Sequence, residues 1–140
     1  MGRIGFLTHI QYLRKELSDT LKSQFGIYKN ISTGIEANLN GRSLKKLGSD
    51  KAVEKSKTNG FNLAEHFDAA GKIIELFRDA NLIETRPDKK GSRNILSIKI
   101  FSLTIQTKCG NVASVHITVK ESIQNGHTIY SLELLELEKK

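Results

Sequence analysis

The sequence holds one cysteine, one proline and no tryptophan, and aromatic residues make up only 6% of its 140 positions. The single thiol, Cys109, has no internal partner for a disulfide, so the fold must stand on its core alone and suits a reducing compartment. Cys109 lies in Lys108-Cys109-Gly110-Asn111, a hairpin-turn sequence, where it reads as an ordinary thiol rather than a nucleophile. Few aromatics argue against a platform that stacks single-stranded bases. No apolar run reaches the roughly 18 residues that span a bilayer, and no charged-apolar-small pattern opens the chain. Neither a membrane span nor secretion by the general route is therefore expected, although a domain cut from a larger secreted protein would read the same.

What is present in surplus is positive charge: 22 Lys and Arg against 15 Asp and Glu, a formal net charge of +7 and a pI near 9.6. A surplus of this size favours polyanionic partners such as RNA, DNA or an anionic membrane. The length suits one domain with a sizeable core.

Along the chain, Phe6, Ile10, Leu13, Leu17 and Leu21 recur at three- and four-residue spacing. They predict an amphipathic helix over Phe6 to Phe25, packed on the domain and closed by Gly26. Ile31 to Leu39 reads as extended. Arg42 to Ser49 reads as a basic helical turn, and Ser49 or Asp50 can cap a short helix from Lys51 to about Lys57. Arg42, Lys45, Lys46, Lys51, Lys55 and Lys57 are opposed only by Asp50 and Glu54. This run is either a solvated face or a patch that tracks phosphates. Asn62 and Glu65 have the spacing of a capping box, and Leu63, Phe67, Ala70, Ile74 and Phe77 predict one helix to about Ala80. Asn81 to Asn94, with the only proline, reads as a basic loop.

From Ile95 the period changes to two, and three antiparallel strands are expected to Glu138. Leu96, Ile98 and Ile100 give way to Phe101, Leu103 and Ile105, and Tyr130, Leu132 and Leu134 give way to Leu135 and Leu137. Each phase change predicts a bulge, and together they predict a bent sheet. Between them Ala113, Val115, Ile117 and Val119 alternate with Ser114, His116, Thr118 and Lys120, so the polar set shares one face. Gln124-Asn125-Gly126 makes the last turn.

Gly34-Ile35-Glu36-Ala37, Leu44-Lys45-Lys46, Lys55-Ser56, Glu65-His66-Phe67-Asp68-Ala69-Ala70 and Leu76-Phe77-Arg78-Asp79-Ala80 follow in order. With Ile117 to Ser122 and Ile129 to Glu133, this set resembles the barnase–EndoU–colicin–RelE-like ribonuclease superfamily, in the branch found in phage and mobile-element polyvalent proteins and toxin modules. The resemblance covers about residues 30 to 138. It implies an α+β fold, with N-terminal helices packed on a curved, mainly antiparallel C-terminal sheet. Residues 1–29 would be a helix or linker and 30–140 the nuclease domain. The implied activity is endoribonucleolytic cleavage of tRNA or another structured RNA by 2′-hydroxyl attack, with no metal and no cofactor. The alternative is a silent RNA-binding or protein-docking module. An acidic immunity protein or antitoxin is an expected partner, and the bacterial cytoplasm the expected place of action, reached alone or within a larger toxin or phage protein.

Such a reaction needs groups that accept and return protons and cations that stabilise the crowded phosphate. Lys120, on the polar face of a central strand, is the first candidate for phosphate stabilisation. His66 is a candidate acid or base at the helix–sheet seam, His127 a mobile donor in the last turn, and Tyr130 a phosphate or proton ligand; each also reads as an ordinary core or surface residue. Lys45 and Lys46, with Lys90 and Arg93 from the loop, are the expected RNA-binding cations. No carboxylate base is evident, because Glu121 faces away from Lys120 if the strand is regular.

Overall fold

In a computed structural model of the chain, residues 8–88 and 94–140 are described. Thr8 and Gln11 close a capping box at the start of α1 (His9–Leu21), whose inward Leu17 and Leu21 are buried. The helix tightens into a 3₁₀ turn at Lys22–Gln24, so it stops short of Gly26, which instead opens β1 (Gly26–Lys29). The extended segment expected after it contains β2 (Glu36–Leu39), antiparallel to β1. Asn30 clamps the turn between them: its buried amide donates to the carbonyls of Phe77 and Ala80, at 2.7 Å each.

Asn40 and Ser43 cap α2 (Gly41–Leu47), and Ser49 caps α3 (Asp50–Thr58). The Asn62–Glu65 capping box is present as the spacing predicts. The helix it starts is nevertheless two helices, α4 (Leu63–Gly71) and α5 (Ile73–Asp79), broken at Lys72. Gly71 makes the break inexpensive, since glycine is a poor helix residue. The break still leaves Phe67, Ala70, Ile73 and Phe77 in one core.

The sheet order is β1-β2-β6-β5-β4-β3, with β3 at Asn81–Arg86, β4 at Ile95–Gln106, β5 at Val112–Gln124 and β6 at His127–Lys139. All neighbours are antiparallel except β2 and β6, which run parallel through Ala37–Tyr130 and Asn38–Ser131. The α+β class and the three long C-terminal strands match expectation. β3 occupies part of the segment read as loop. It is an edge strand with only Leu82 half-buried toward the core, so it carries no alternating apolar signature.

One expected bulge exists and one lies elsewhere. In β6 the register slips between Leu132 and Leu134, leaving Glu133 as the extra residue, as the phase change there predicts. In β4 the register is continuous from Ser97 to Gln106, and the slip falls at Leu96. Phe101 and its alternate neighbours face the helices while Ile100 is buried on the other side, so the apparent phase change reflects apolar residues on both faces.

The helices cover one sheet face, where Val115, Ile117, Val119, Leu132, Leu135 and Leu137 meet Leu47, Phe67, Ile73 and Phe77. Phe77 and Phe101 pack edge to face at 5.1 Å. Beyond Ser131, β6 has no strand on the side away from β5 among the described residues, and α3 takes that edge: Ser56 accepts from the Leu137 N–H and Asn59 donates to the Leu137 carbonyl, each at 3.0 Å. Covering an edge in this way satisfies its backbone and removes a template for unwanted pairing. No helix among the described residues is long and apolar enough to cross a membrane.

Candidate functional site: a basic pocket on the open face of the sheet

Strand alternation sends Ser114, His116, Thr118, Lys120 and Ser122 away from the helices. Toward the β5–β6 hairpin end of this face a pocket of about 590 Å³ is lined by Asn40 and Arg42 at the start of α2, Asn94 and Ile95, Lys120 to Gln124 without Glu121, and Ser131 and Glu133. It is roomier than the hollow of about 330 Å³ between α1 and α4. The Asn40–Ser43 capping box sets where α2 begins, which puts Arg42 on the rim. Lys46, one turn on, lies on the same side of the helix.

The centre of the site is Glu133. It is the extra residue of the β6 bulge, two positions after the Lys120 partner Ser131, and it meets Lys46 of α2 as well as Lys120 of β5. Its Oε1 takes an ion pair from Lys46 and a second from Lys120 at 3.3 Å. The residue is only 7% exposed, and its Oε2 is buried with no hydrogen-bond donor. A carboxylate buried this far is costly unless its charge is matched, which the two ammonium groups do. Arg42 is exposed and makes no ion pair among the described residues, so its guanidinium is available to an anion. Two lysines, one arginine and one carboxylate with an unfilled acceptor thus converge where hydroxyl and amide groups of Asn40, Ser122 and Ser131 also face.

The residues singled out from the sequence divide between this pocket and other places. Lys120 lines it, and Lys46 is joined to it through its ion pair with Glu133. Lys45 is not: it turns to the hollow between α1 and α2, beside Arg14 and Ser18. His127 pairs with Gln124, and so projects from the same face as Lys120. Four residues of strand, roughly 13 Å, separate its position from that of Ser131, the partner of Lys120. Lys90 and Arg93 lie outside the described residues.

Tyr130 faces the other way. It pairs with Glu121, whose carboxylate accepts from its hydroxyl at 3.1 Å and from Ser97 at 2.6 Å, with Lys99 at 3.6 Å. Burial, reinforced by Glu121, raises the Tyr130 pKa; the hydrogen bond from Ser97, more than any other contact, lowers that of Glu121. The strand is regular here, so Glu121 does point away from Lys120.

His66 is removed from solvent altogether, at 0% exposure. Its Nε2 lies 2.9 Å from the Leu47 carbonyl and its Nδ1 2.8 Å from the Ser56 hydroxyl. A carbonyl can only accept, so Nε2 carries the proton and Nδ1 receives the Ser56 hydroxyl. Burial pushes the imidazole pKa below its ordinary value, against the opposing bond to Leu47. With Ser56 also holding the Leu137 N–H, His66 ties α2, α3, α4 and β6 together. The expected convergence of His66, Lys120, Tyr130 and His127 on one cleft is therefore not found. Sheet alternation separates Lys120 from Tyr130, and the helix layer encloses His66.

Glu133 was the residue missed. The signal was its place two residues after Ser131, which strand alternation sets on the Lys120 face.

Comparison with curated proteins finds no match, and comparison with solved structures finds none either. A family model, large polyvalent protein-associated domain 3, matches residues 8–130. The match includes α1, whereas the stretches that carried the resemblance begin at Gly34, and it supports the phage and mobile-element side of that resemblance. Covering most of the chain, it places this protein in the large polyvalent protein-associated domain 3 family.

Proposed function

We propose that the domain is a metal-independent endoribonuclease that receives an RNA phosphodiester in the pocket around Glu133. The observation that carries the reading is the convergence of Lys46 and Lys120 on one buried carboxylate beside Arg42. The net charge of +7 and the ordered resemblance to metal-independent ribonucleases support it.

In this reading the arriving phosphate competes with Glu133 for the two lysines. Lys120, Lys46 and Arg42 neutralise the phosphate and, in the transition state, the added negative charge on its oxygens; such electrostatic stabilisation is usually the largest catalytic contribution. Drawing the lysines off Glu133 frees its carboxylate to accept the 2′-hydroxyl proton as that oxygen attacks phosphorus. The bond to the 5′-oxygen breaks, and the Lys120 ammonium, which faces the same phosphate, gives the leaving oxygen its proton. The 2′-hydroxyl next to the phosphate meets the Glu133 carboxylate once the lysines turn to the phosphate, which a deoxyribose would not do. An acidic protein that covers the pocket would be its natural inhibitor.

A second reading is a non-cleaving RNA-binding module. The double ion pair favours it, since a carboxylate held by two lysines can serve only to fix them in place. Incubation of the purified chain with total RNA in excess chelator separates the two. Cleavage that Lys120→Ala and Glu133→Gln abolish supports the enzyme; RNA binding without cleavage supports the module. Cleavage that both variants retain refutes the pocket as the active site.

A further inference from the structure

On the same open face, at the other end of β5 and β6, a second cluster takes no part in the reading above. His116 pairs across the strands with Glu136, and Glu138 lies two residues further along β6, opposite Ser114. Alternation puts all three side chains on one side. The His116 Nδ1 lies 2.8 Å from the Glu138 Oε2, and one ligand atom from each residue falls within 4.8 Å of the other two. All three are partly buried rather than free in solvent.

We propose that His116, Glu136 and Glu138 bind a borderline divalent cation, Zn²⁺ first among them. One imidazole nitrogen and two carboxylate oxygens form a mixed donor set that suits Zn²⁺ better than the all-oxygen preference of Ca²⁺ or Mg²⁺. Tetrahedral Zn²⁺ with ligands near 2.1 Å needs donor separations of roughly 3.4 Å, which rotation of the glutamate side chains reaches from the present spacing. The strands that carry the ligands are paired on both sides of this point of β5, so the backbone is already in place.

Two neighbours fit a cation here. Lys55 of α3 lies 3.6 Å from the Glu136 Oε2, so an ammonium group already occupies the space beside that carboxylate. A groove of about 390 Å³ between α3 and the strand end, lined in part by Thr58, Asn59 and both glutamates, leaves one side open for the water that completes the coordination. The bound ion displaces Lys55 and ties the end of β6 to β5. The site is separate from Glu133, and its failure would leave the RNA reading untouched.

The test is isothermal titration of the chelator-stripped, dialysed chain with zinc chloride. One saturable equivalent is expected for the wild type. His116→Ala and Glu138→Gln should each weaken binding at least about 10-fold, by analogy with the loss of groups around other metal sites. Lys55→Ala should tighten it severalfold, and His9→Ala, on exposed α1, should change nothing. A second reading needs no variant: Co²⁺ added to the wild type should give the intense visible absorption of a low-coordinate nitrogen-containing site. Absence of saturable Zn²⁺ binding, or binding that His116→Ala leaves intact, overturns the proposal and leaves a His–Glu–Lys ion-pair cluster.

Discussion

The two faces of the sheet carry similar residues under opposite conditions. On the helix side, His66, Glu121 and Tyr130 have their polar atoms engaged by neighbours within the fold. On the open side, Lys120 and Glu133 pair beside a pocket, with Arg42 exposed on its rim. Residue type does not make a site here; what matters is whether the fold has already used a group's hydrogen-bonding capacity.

That contrast can be broken or sharpened by experiment. The largest effect should come from the open face: Lys120→Ala or Glu133→Gln lowers RNA cleavage about 100-fold or more, the range for losing a charge stabiliser or general base. Tyr130→Phe, on the far side, leaves cleavage as it was, measured in the same chelator-containing assay.

His66→Ala should act on stability instead. It opens a cavity and leaves the Ser56 hydroxyl and Leu47 carbonyl short of a partner, a loss of about 3 kcal/mol in chemical denaturation. Activity measured well below the melting temperature should persist.

His66 also gives the fold a pH dependence. Its folded pKa is lowered from 6.5, so the unfolded chain binds its proton first as pH falls. The contribution of the neutral ring is complete above pH 6.5 and declines as pH drops from there toward the folded pKa. Denaturation midpoints between pH 8 and 5 should decrease on the acid side, and His66→Gln should flatten that decrease.

The smallest effect belongs to Arg42 on the rim. Arg42→Ala should weaken RNA binding and reduce the slope of log affinity against log salt by about 1, read by fluorescence anisotropy across a salt series.

Much of the framework was legible because local chemistry declares it. The 3.6-residue spacing in α1 and α4, the Asn62–Glu65 box and the Asn125–Gly126 turn each act within a few residues. The alternation from Ala113 to Lys120 assigned that strand's faces correctly. The edge strand β3 was hidden because five of its six residues are exposed, and the parallel pairing of β2 with β6 because it joins positions more than 90 residues apart. At the site, Lys120 and Lys46 were accessible to sequence reading as cations on a polar strand face and a basic helix. Glu133 was not, since its partners come from α2 and β5, elements distant from it in the chain. Nor could helical periodicity tell that Ser56 and Leu47 would close over His66.

The central claim is that the open face around Glu133 is where RNA meets this protein. Backbone amide chemical-shift mapping of the chain during titration with a short RNA at low salt tests it most directly. Changes should concentrate at residues 40–46, 120–124 and 131–133. Changes confined to the α4 helix and to the hollow formed by Thr33 to Glu36 with Tyr130, leaving those three stretches unmoved, would contradict it.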